Sequence, residues 1–406
     1  MIALLALLSA SLSVQPAQAQ VTDDSDLSGG RSPAAGVLWE EGRAEDGSTV
    51  FRAQAIAPPP AGRSVNASSI DGIFLLTGPE GRDVPARRAK ALLVAGSKIL
   101  AESPVDENGA WGLSAPPDFS GKAVVRLRLE NAAWSIQDAR GGKPYSWDAA
   151  EVQLPASGVR LGAYRPDPAS ENGKIGLIHL QFLEAFSLFE RAGVGTDWWK
   201  ERLAVSYPDS ADYFSPWGFD LHLTRAEQWD VNLHEFGHAV MAAGTRSYGG
   251  GGQHKIDECY NAGLAWSEGW ATFFAGAARL SPSDPDAKFQ YLVPRRAPIR
   301  LENVPEDVCQ GPTSEWRVAA GLWDLHDMNA DGRDASALGF ARIWKAIAAQ
   351  RMGGFADAWG FISAGLPPDA LAAGTAALRQ NTLLPEAVRF APARSAVELL
   401  SAPAWD

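Results

Sequence analysis

The chain has little cysteine, no excess of positive charge and no long apolar run beyond its first residues. Its 406 residues include 2 Cys, and the absence of a Cys-x-x-Cys pair argues against a thiolate zinc site. The net charge of −12 argues against nucleic acid or an anionic membrane as a partner. No apolar stretch after Leu12 is long enough to cross a bilayer, so no membrane-spanning segment is predicted.

Residues 1–19 are typical of an export signal. An apolar run ends near Leu12 and is followed by Ala17-Gln18-Ala19, a small-residue cleavage pattern. The stretch has no Lys or Arg, and a buried N-terminal helix is the alternative. We therefore predict a secreted or periplasmic protein. In such an oxidising compartment Cys259 and Cys309 are expected to form one disulfide, the alternative being a cysteine ligand to zinc.

The length predicts two folded domains after an N-terminal arm over residues 20–61. Residues 62–166 contain short apolar or alternating segments separated by turns, which predicts an antiparallel β-sandwich. Residues 170–406 are predicted to form a mainly α-helical (α+β) domain. The strand segments in the first domain are 72–76, 90–94, 98–102, 110–113 and 123–129.

The most informative stretch is 232–243, whose centre reads His234-Glu235-Phe236-Gly237-His238. Histidines four positions apart lie on one face of a helix, so both imidazoles can reach a single ion. Neutral imidazole is a good zinc ligand. Glu235 is turned by about 100° from His234, so it can reach a water molecule beside the ion. The spacing predicts a zinc site with Glu235 as general base; two unrelated histidines on an exposed helix are the alternative.

A catalytic zinc site needs a third protein ligand. Glu268 lies in the apolar and aromatic run 264–278, which predicts a second buried helix. A lone carboxylate in such a run is costly unless it is paired or bound to a metal ion. Glu268 is therefore the predicted third ligand. A glutamate that faces a solvent cleft or pairs with a buried arginine is the alternative.

These motifs together resemble the gluzincin metallopeptidases, the thermolysin-like clan. The resemblance implies that His234, His238 and Glu268 bind zinc and that Glu235 is the base. The runs HEFGHAVM, AWSEGWATFFA and GLWDLHD resemble more closely bacterial secreted proteins in which a carboxypeptidase-regulatory-like β-domain precedes a gluzincin domain. This similarity extends over residues 62–345.

One position departs from the clan. Its members often carry an Asp four residues after the ligand Glu, as a partner for a zinc histidine, and this chain has Thr272 there. Asp324 is the first candidate for that supporting role and Asp327 the second. A donor for the developing oxyanion is also needed. The candidates are His254, Tyr260 and His326, although His254 could equally be a solvated residue of the glycine-rich loop before it.

Apolar spacing predicts further helices. His179 is expected to be a packed core histidine, because no ligand partner stands four positions away. Residues 224–227 have the form of a capping box for the HExxH helix, and Gly244 is its expected end. Two strands, 203–207 and 219–223, are predicted before this helix. By position, the resemblance to gluzincins implies that 219–223 is an edge strand that pairs with an extended substrate. The further helices are predicted over 174–191, 314–327 and, as three helices, 337–380.

Residues 327–334 read DMNADGRD, which is the first half of a calcium-binding loop. Leu338 stands where the loop's last ligand, a glutamate, is expected. A surface turn is the prediction, and a Ca²⁺ site is the alternative.

The residues together predict an extracytoplasmic zinc metallopeptidase that acts on proteins or peptides. Two other functions are considered. One is an exported zinc-containing binding or adhesion protein that has lost catalysis, and the other is a calcium protein with a structural role. The complete ligand set and the presence of Glu235 favour the enzyme.

Overall fold

A computed structural model describes most of the chain. The predicted export signal, most of the predicted arm and the glycines at 249–251 lie outside the described residues. Of the arm, one antiparallel pair is described, β1 (Leu38–Arg43) with β2 (Thr49–Gln54). None of the described helices is both long and apolar enough to cross a membrane. The described ranges are 38–43, 49–54, 69–155, 158–247 and 252–385.

The fold mixes helices with several small sheets, and the first sheet is entirely antiparallel. Its strands follow the order β10-β8-β5-β6. The burial of β8 and β10 alternates along each strand, as expected when one face of a sheet covers the core. The strands are β5 (Lys90–Ala95), β6 (Lys98–Pro104), β8 (Gly121–Arg128) and β10 (Ser146–Leu154).

The second sheet is built around β3 (Ser69–Thr77), which pairs with three other strands. It is antiparallel to β4 (Asp83–Pro85) and to β7 (Ala110–Ser114). It is parallel to β11 (Val159–Tyr164), so the prediction of purely antiparallel pairing does not hold here. The five predicted strand segments all coincide with strands of these two sheets.

A third sheet bridges the predicted division between residues 166 and 170. It has the order β13-β14-β12-β9, so β9, which belongs to the first part of the chain, pairs with strands that follow residue 170. β14 pairs on both sides, so the prediction that 219–223 forms an edge strand is wrong. The strands are β9 (Trp134–Asp138), β12 (Leu203–Tyr207), β13 (Tyr213–Ser215) and β14 (Asp220–His222).

The predicted helices are present in the described part of the chain. Ser170 caps the first, since its Oγ accepts a hydrogen bond from the Gly173 amide at 3.2 Å. The helices are α1 (Glu171–Arg191), α2 (Trp229–Gly244), α3 (Ala262–Arg279), α4 (Glu315–His326), α5 (Gly339–Ile347), α6 (Phe355–Ser363) and α7 (Pro368–Gln380).

The predicted capping box before α2 is wrong. The helix starts after Gln228, whose side chain makes no capping bond, and Thr224 instead donates its hydroxyl to Asp212 at 2.8 Å. The buried Asp230, in the first turn of α2, binds a segment that is distant in the sequence. Its Oδ2 accepts hydrogen bonds from the backbone amides of residues 290, 291 and 292. These bonds tie the first turn of α2 to a distant segment but do not cap the helix.

His179 is the packed core residue that the sequence predicts. Its Nδ1 accepts a hydrogen bond from Trp134 Nε1 at 3.2 Å, and its Nε2 donates to the Arg87 carbonyl at 2.9 Å. Burial lowers the pKa of His179 to about 4, so the ring is neutral. It joins α1 to the sheets and is not part of the candidate functional site.

Cys259 and Cys309 form the expected disulfide, with their Cα atoms 5.3 Å apart. The alternative of a cysteine ligand to zinc is therefore wrong. The bond closes a loop of 50 residues, which in the chain-entropy picture contributes about 4 kcal/mol to stability. It ties the segment before α3 to the segment before α4, and both helices contribute to the site described next.

Candidate metal centre

The site lies where helices α2 and α3 pack closely against each other. A Cβ atom at Gly237 would lie only 3.0 Å from the Cα of Ala271, so glycine is what allows the helix backbones to meet there. The face of α2 next to this contact carries His234 and His238. The facing turn of α3 carries Glu268. The sequence thus brings two imidazoles and one carboxylate together on two buried, rigid helices.

The three side chains converge on one point. The Nε2 atoms of His234 and His238 lie 3.1 Å and 3.2 Å from the same oxygen, Oε2 of Glu268. One ligand atom from each residue lies within 4.8 Å of the others. In a tetrahedral zinc site with bonds of about 2.1 Å, neighbouring ligand atoms are about 3.4 Å apart. The spacing and the nitrogen and oxygen donors therefore fit zinc.

The charges of the site favour a cation. Burial raises the pKa of Glu268, but the positive charge of His238 and hydrogen bonds from both histidines outweigh burial and hold that pKa below its usual range. Burial lowers the pKa of His238, but the Glu268 carboxylate outweighs it and raises that pKa to about 9. The Glu268 carboxylate therefore favours a positive charge between the three side chains, either a proton or a metal ion.

The Thr272 hydroxyl links Nδ1 of His234, the ring nitrogen on the side away from Glu268, to the Glu315 carboxylate. Thr272 Oγ1 donates its proton to Glu315 Oε1 at 3.2 Å. It must therefore accept from His234 Nδ1, 3.0 Å away. This places a proton on Nδ1 and leaves Nε2 as the nitrogen that is directed at the point of convergence. Outer partners of this kind orient metal-binding histidines.

His238 has a similar but separate support. Its Nδ1 lies 3.3 Å from Ser267 Oγ, on the residue just before Glu268. α3 therefore supplies both the third candidate ligand and the two hydroxyls that hold the histidines of α2. Among the described contacts, the Nδ1 atom of each ring is therefore held by a hydroxyl and not by a carboxylate.

The predicted supporting carboxylates, Asp324 and Asp327, do not hold the histidines. Asp324 accepts a hydrogen bond from Asn381 Nδ2 at 2.6 Å, and Asp327 is buried in a separate acidic cluster. Sequence reasoning missed Glu315, the first residue of α4. The Glu315 carboxylate acts on His234 through Thr272. Thr272 and Glu315 are 43 positions apart, so no local sequence pattern predicts their contact.

We expect Thr272→Val to lower zinc affinity by about 10- to 100-fold, because the loss of an outer hydrogen bond to a zinc histidine typically costs that much. Valine keeps the volume and removes the hydroxyl that His234 Nδ1 contacts. Zinc affinity would be measured by competition with a metal-binding dye. Thr272→Ser keeps the hydroxyl and is the matched control, expected to bind zinc nearly as the native chain does. Equal affinity in the valine variant would show that the Thr272 hydroxyl does not position the ring.

Glu235 lies on α2 directly after His234 and is only partly accessible to solvent. Burial raises its pKa; the charges of His234 and His238 oppose the rise, and Glu268 and Asp212 add to it. The carboxyl group thus stands beside the point of convergence without contributing an atom to it.

His254 is brought to the site from the loop before α3. Its Nε2 lies 3.5 Å from Glu268 Oε2 and 3.3 Å from Glu315 Oε2. Its Nδ1 donates to the Gly252 carbonyl at 3.0 Å. Glu315 is the main cause that raises the pKa of His254 to about 9. It is therefore a residue of the site and not a solvated loop histidine.

The other two oxyanion candidates are engaged elsewhere. The Tyr260 hydroxyl accepts from the Lys255 amide at 2.8 Å and lies 3.3 Å from Glu258. The His326 ring packs against Phe273, and burial lowers its pKa to about 4. No described contact joins either residue to the His234, His238 and Glu268 group.

Comparison with known proteins supports a relationship for the helical part of the chain. No curated protein matches the sequence. Among solved structures, a 9R-lipoxygenase from Cyanothece PCC8801 matches with 11% identity and a TM-score of 0.18. The match covers 33% of this chain and 25% of that one, and no argument rests on it. Residues 196–377, which include α2, α3 and α4, match the family model of the mycolysin C-terminal domain, a domain found in secreted zinc metalloproteases.

Proposed function

We propose that this chain is a zinc-dependent peptidase that hydrolyses peptide bonds in extracytoplasmic proteins or peptides. The observation that carries the proposal is the convergence of His234 Nε2, His238 Nε2 and Glu268 Oε2 beside Glu235. This is the donor set of a catalytic zinc site, in which three protein ligands leave one position open. The similarity of residues 196–377 to the mycolysin C-terminal domain supports the same class of enzyme.

His234, His238 and Glu268 would hold the ion. Zinc bound there would act as a Lewis acid toward a carbonyl and lower the pKa of a nearby water. Glu235 would take the proton from the attacking water and deliver it to the nitrogen of the leaving amine. Gly252 would hold the His254 ring through Nδ1, and Nε2–H would exchange its contact with Glu315 for a hydrogen bond to the oxyanion that develops on the scissile carbonyl.

Proteolysis assays with and without a chelator test this function. We expect purified protein to cleave casein or a peptide library, to lose that activity when zinc is removed, and to regain it when zinc is restored. A protein that binds one zinc per chain but cleaves none of these substrates would instead support the exported binding or adhesion protein.

We also propose the finer organisation that the sequence predicts. Residues 1–19 would direct export, and residues 62–166 would form a carboxypeptidase-regulatory-like β-sandwich before the peptidase domain at 170–406. The disulfide between Cys259 and Cys309 supports an oxidising compartment. Mass spectrometry of exported protein should find a chain that begins at Gln20. An exported chain that still begins at Met1 would contradict the signal, and an experimental structure whose first two sheets do not face each other would contradict the sandwich.

A further inference from the structure

His222, on β14, has a carboxylate at each of its two ring nitrogens. Its Nδ1 lies 2.7 Å from Oδ2 of Asp209, and its Nε2 lies 2.5 Å from Oδ2 of Asp220. A neutral imidazole carries one N–H and can donate only one of these hydrogen bonds, whereas the imidazolium donates both. The geometry is therefore that of a positively charged ring between two negatively charged groups.

The neighbouring strands supply no second cation for these carboxylates. In the described part of the chain, His222 is the one ion-pair partner of Asp209 and of Asp220. On β12, the residue paired with His222 is the uncharged Ser206. On β13, the Tyr213 ring stacks on the imidazole with centroids 4.1 Å apart. Desolvation, followed by Asp209 and Asp220, raises the pKa of Tyr213, so it stays neutral. Among the described residues, no charged group of α2 acts on the ring.

The charge of His222 is sensitive to pH. Burial lowers its pKa, but the hydrogen bonds to Asp209 and Asp220 outweigh burial and raise that pKa above its usual value. A folded-state pKa above the unfolded value of about 6.5 gives stabilisation that is complete below that value and is lost as the pH rises through the folded pKa. The bond to His222 is also the main cause that lowers the pKa of Asp209. On the acid side, stabilisation is therefore lost only when the pH falls through that lowered pKa.

The ring joins two segments next to the helix of the candidate metal centre. Through Asp209 it holds the loop after β12, and through its own strand it holds the hairpin formed by β13 and β14. Both strands of this hairpin contact α2. Asp212, directly before β13, is close enough to α2 for its charge to act on Glu235. The position of the hairpin thus affects the surroundings of α2.

We propose that His222 is a proton-dependent clamp, which holds the β13–β14 hairpin to the loop after β12 near neutral pH and releases it at alkaline pH. In the clamped state the imidazolium donates to Asp209 and Asp220 together. When the ring loses a proton, one nitrogen presents a lone pair to a carboxylate, so that contact becomes repulsive and the segment is freed. The proposal does not depend on the peptidase function, because none of these groups belongs to the candidate metal centre.

An NMR titration of the imidazoles of the full chain, with zinc present, tests the charge of the clamp. The His222 signals, identified by their absence from His222→Gln, should titrate above about 6.5. Asp209→Asn and Asp220→Asn each remove one negative partner and should each lower the His222 pKa. Asp118→Asn removes an exposed carboxylate elsewhere and should leave it unchanged. A native His222 pKa at or below the ordinary value, or one that neither carboxylate variant lowers, would overturn the proposal.

Hydrogen exchange, followed by mass spectrometry, tests the release of the hairpin. Glutamine at position 222 carries no positive charge, so His222→Gln represents the released state at every pH. At about pH 6, the amides of residues 209–223 should exchange about fivefold faster in the variant than in the native chain, as expected for a partly exposed bond to a charged group. The two chains should converge as the pH rises through the His222 pKa. Amides of β5 are the internal control and should exchange equally in both chains.

A purely structural role of the ring would give the same ratio of exchange rates at every pH, and that result would contradict the clamp. Equal exchange at about pH 6 would contradict it as well. If His222→Gln does not fold, the native chain decides. Its protection over residues 209–223, relative to β5, should fall as His222 loses its proton, and constant relative protection would overturn the proposal.

Discussion

Glu235→Gln is expected to lower kcat/KM for peptide hydrolysis by about 10²- to 10⁴-fold, the range that a positioned general base contributes. Glutamine keeps the size of the side chain but cannot accept the proton of the attacking water. Zinc content should remain one ion per chain, because Glu235 contributes no atom to the group formed by His234, His238 and Glu268. Steady-state kinetics and elemental analysis of the same sample measure both quantities.

A matched control for this variant lies just outside the helix. Glu227→Gln changes an exposed glutamate shortly before α2 and should leave both activity and zinc content as they are. If Glu235→Gln hydrolyses peptides as fast as the native chain with a full complement of zinc, Glu235 is not the base and the proposed mechanism is wrong.

Glu268→Gln is expected to lose both zinc and activity, whereas Glu235→Gln should lose activity and keep its zinc. The neutral amide removes the negative charge that faces both Nε2 atoms at 3.1 Å and 3.2 Å. Because the loss of an outer hydrogen bond alone costs 10- to 100-fold in metal affinity, the loss of a ligand should exceed about 100-fold. Competition with a metal-binding dye measures the affinity, and added zinc should recover part of the activity.

The comparison between the two variants separates metal binding from proton transfer. Glu306→Gln, at an exposed position before α4, controls for the loss of a negative charge in general. A Glu268→Gln protein that binds zinc with native affinity would remove Glu268 from the ligand set and leave two histidines, which are too few for a catalytic zinc site.

The part of the site that the sequence predicts is the part encoded by local spacing. His234 and His238 share a helix face because they are four residues apart. Glu268 could be found because a single carboxylate in an apolar helix requires a partner. The same periodicities located the main helices and five strands of the first two sheets, β3, β5, β6, β7 and β8, but not β4, β10 or β11. The compartment inferred from the chain's start led to the correct disulfide.

The features that the sequence did not predict depend on contacts between distant segments. Glu315 reaches His234 only through Thr272, which no spacing rule connects to it. Asp230, in the first turn of α2, accepts hydrogen bonds from backbone amides about 60 positions away. Local patterns describe which helix or strand forms, but they do not specify which distant segment packs against it.

We propose above all that His234, His238 and Glu268 bind one zinc ion. Anomalous diffraction at the zinc edge, from crystals of the zinc-loaded full chain, tests it most directly. We expect a single strong peak about 2.0 to 2.2 Å from both Nε2 atoms and from a Glu268 oxygen. A peak elsewhere, or a Glu268 side chain turned away from the two rings, would contradict it.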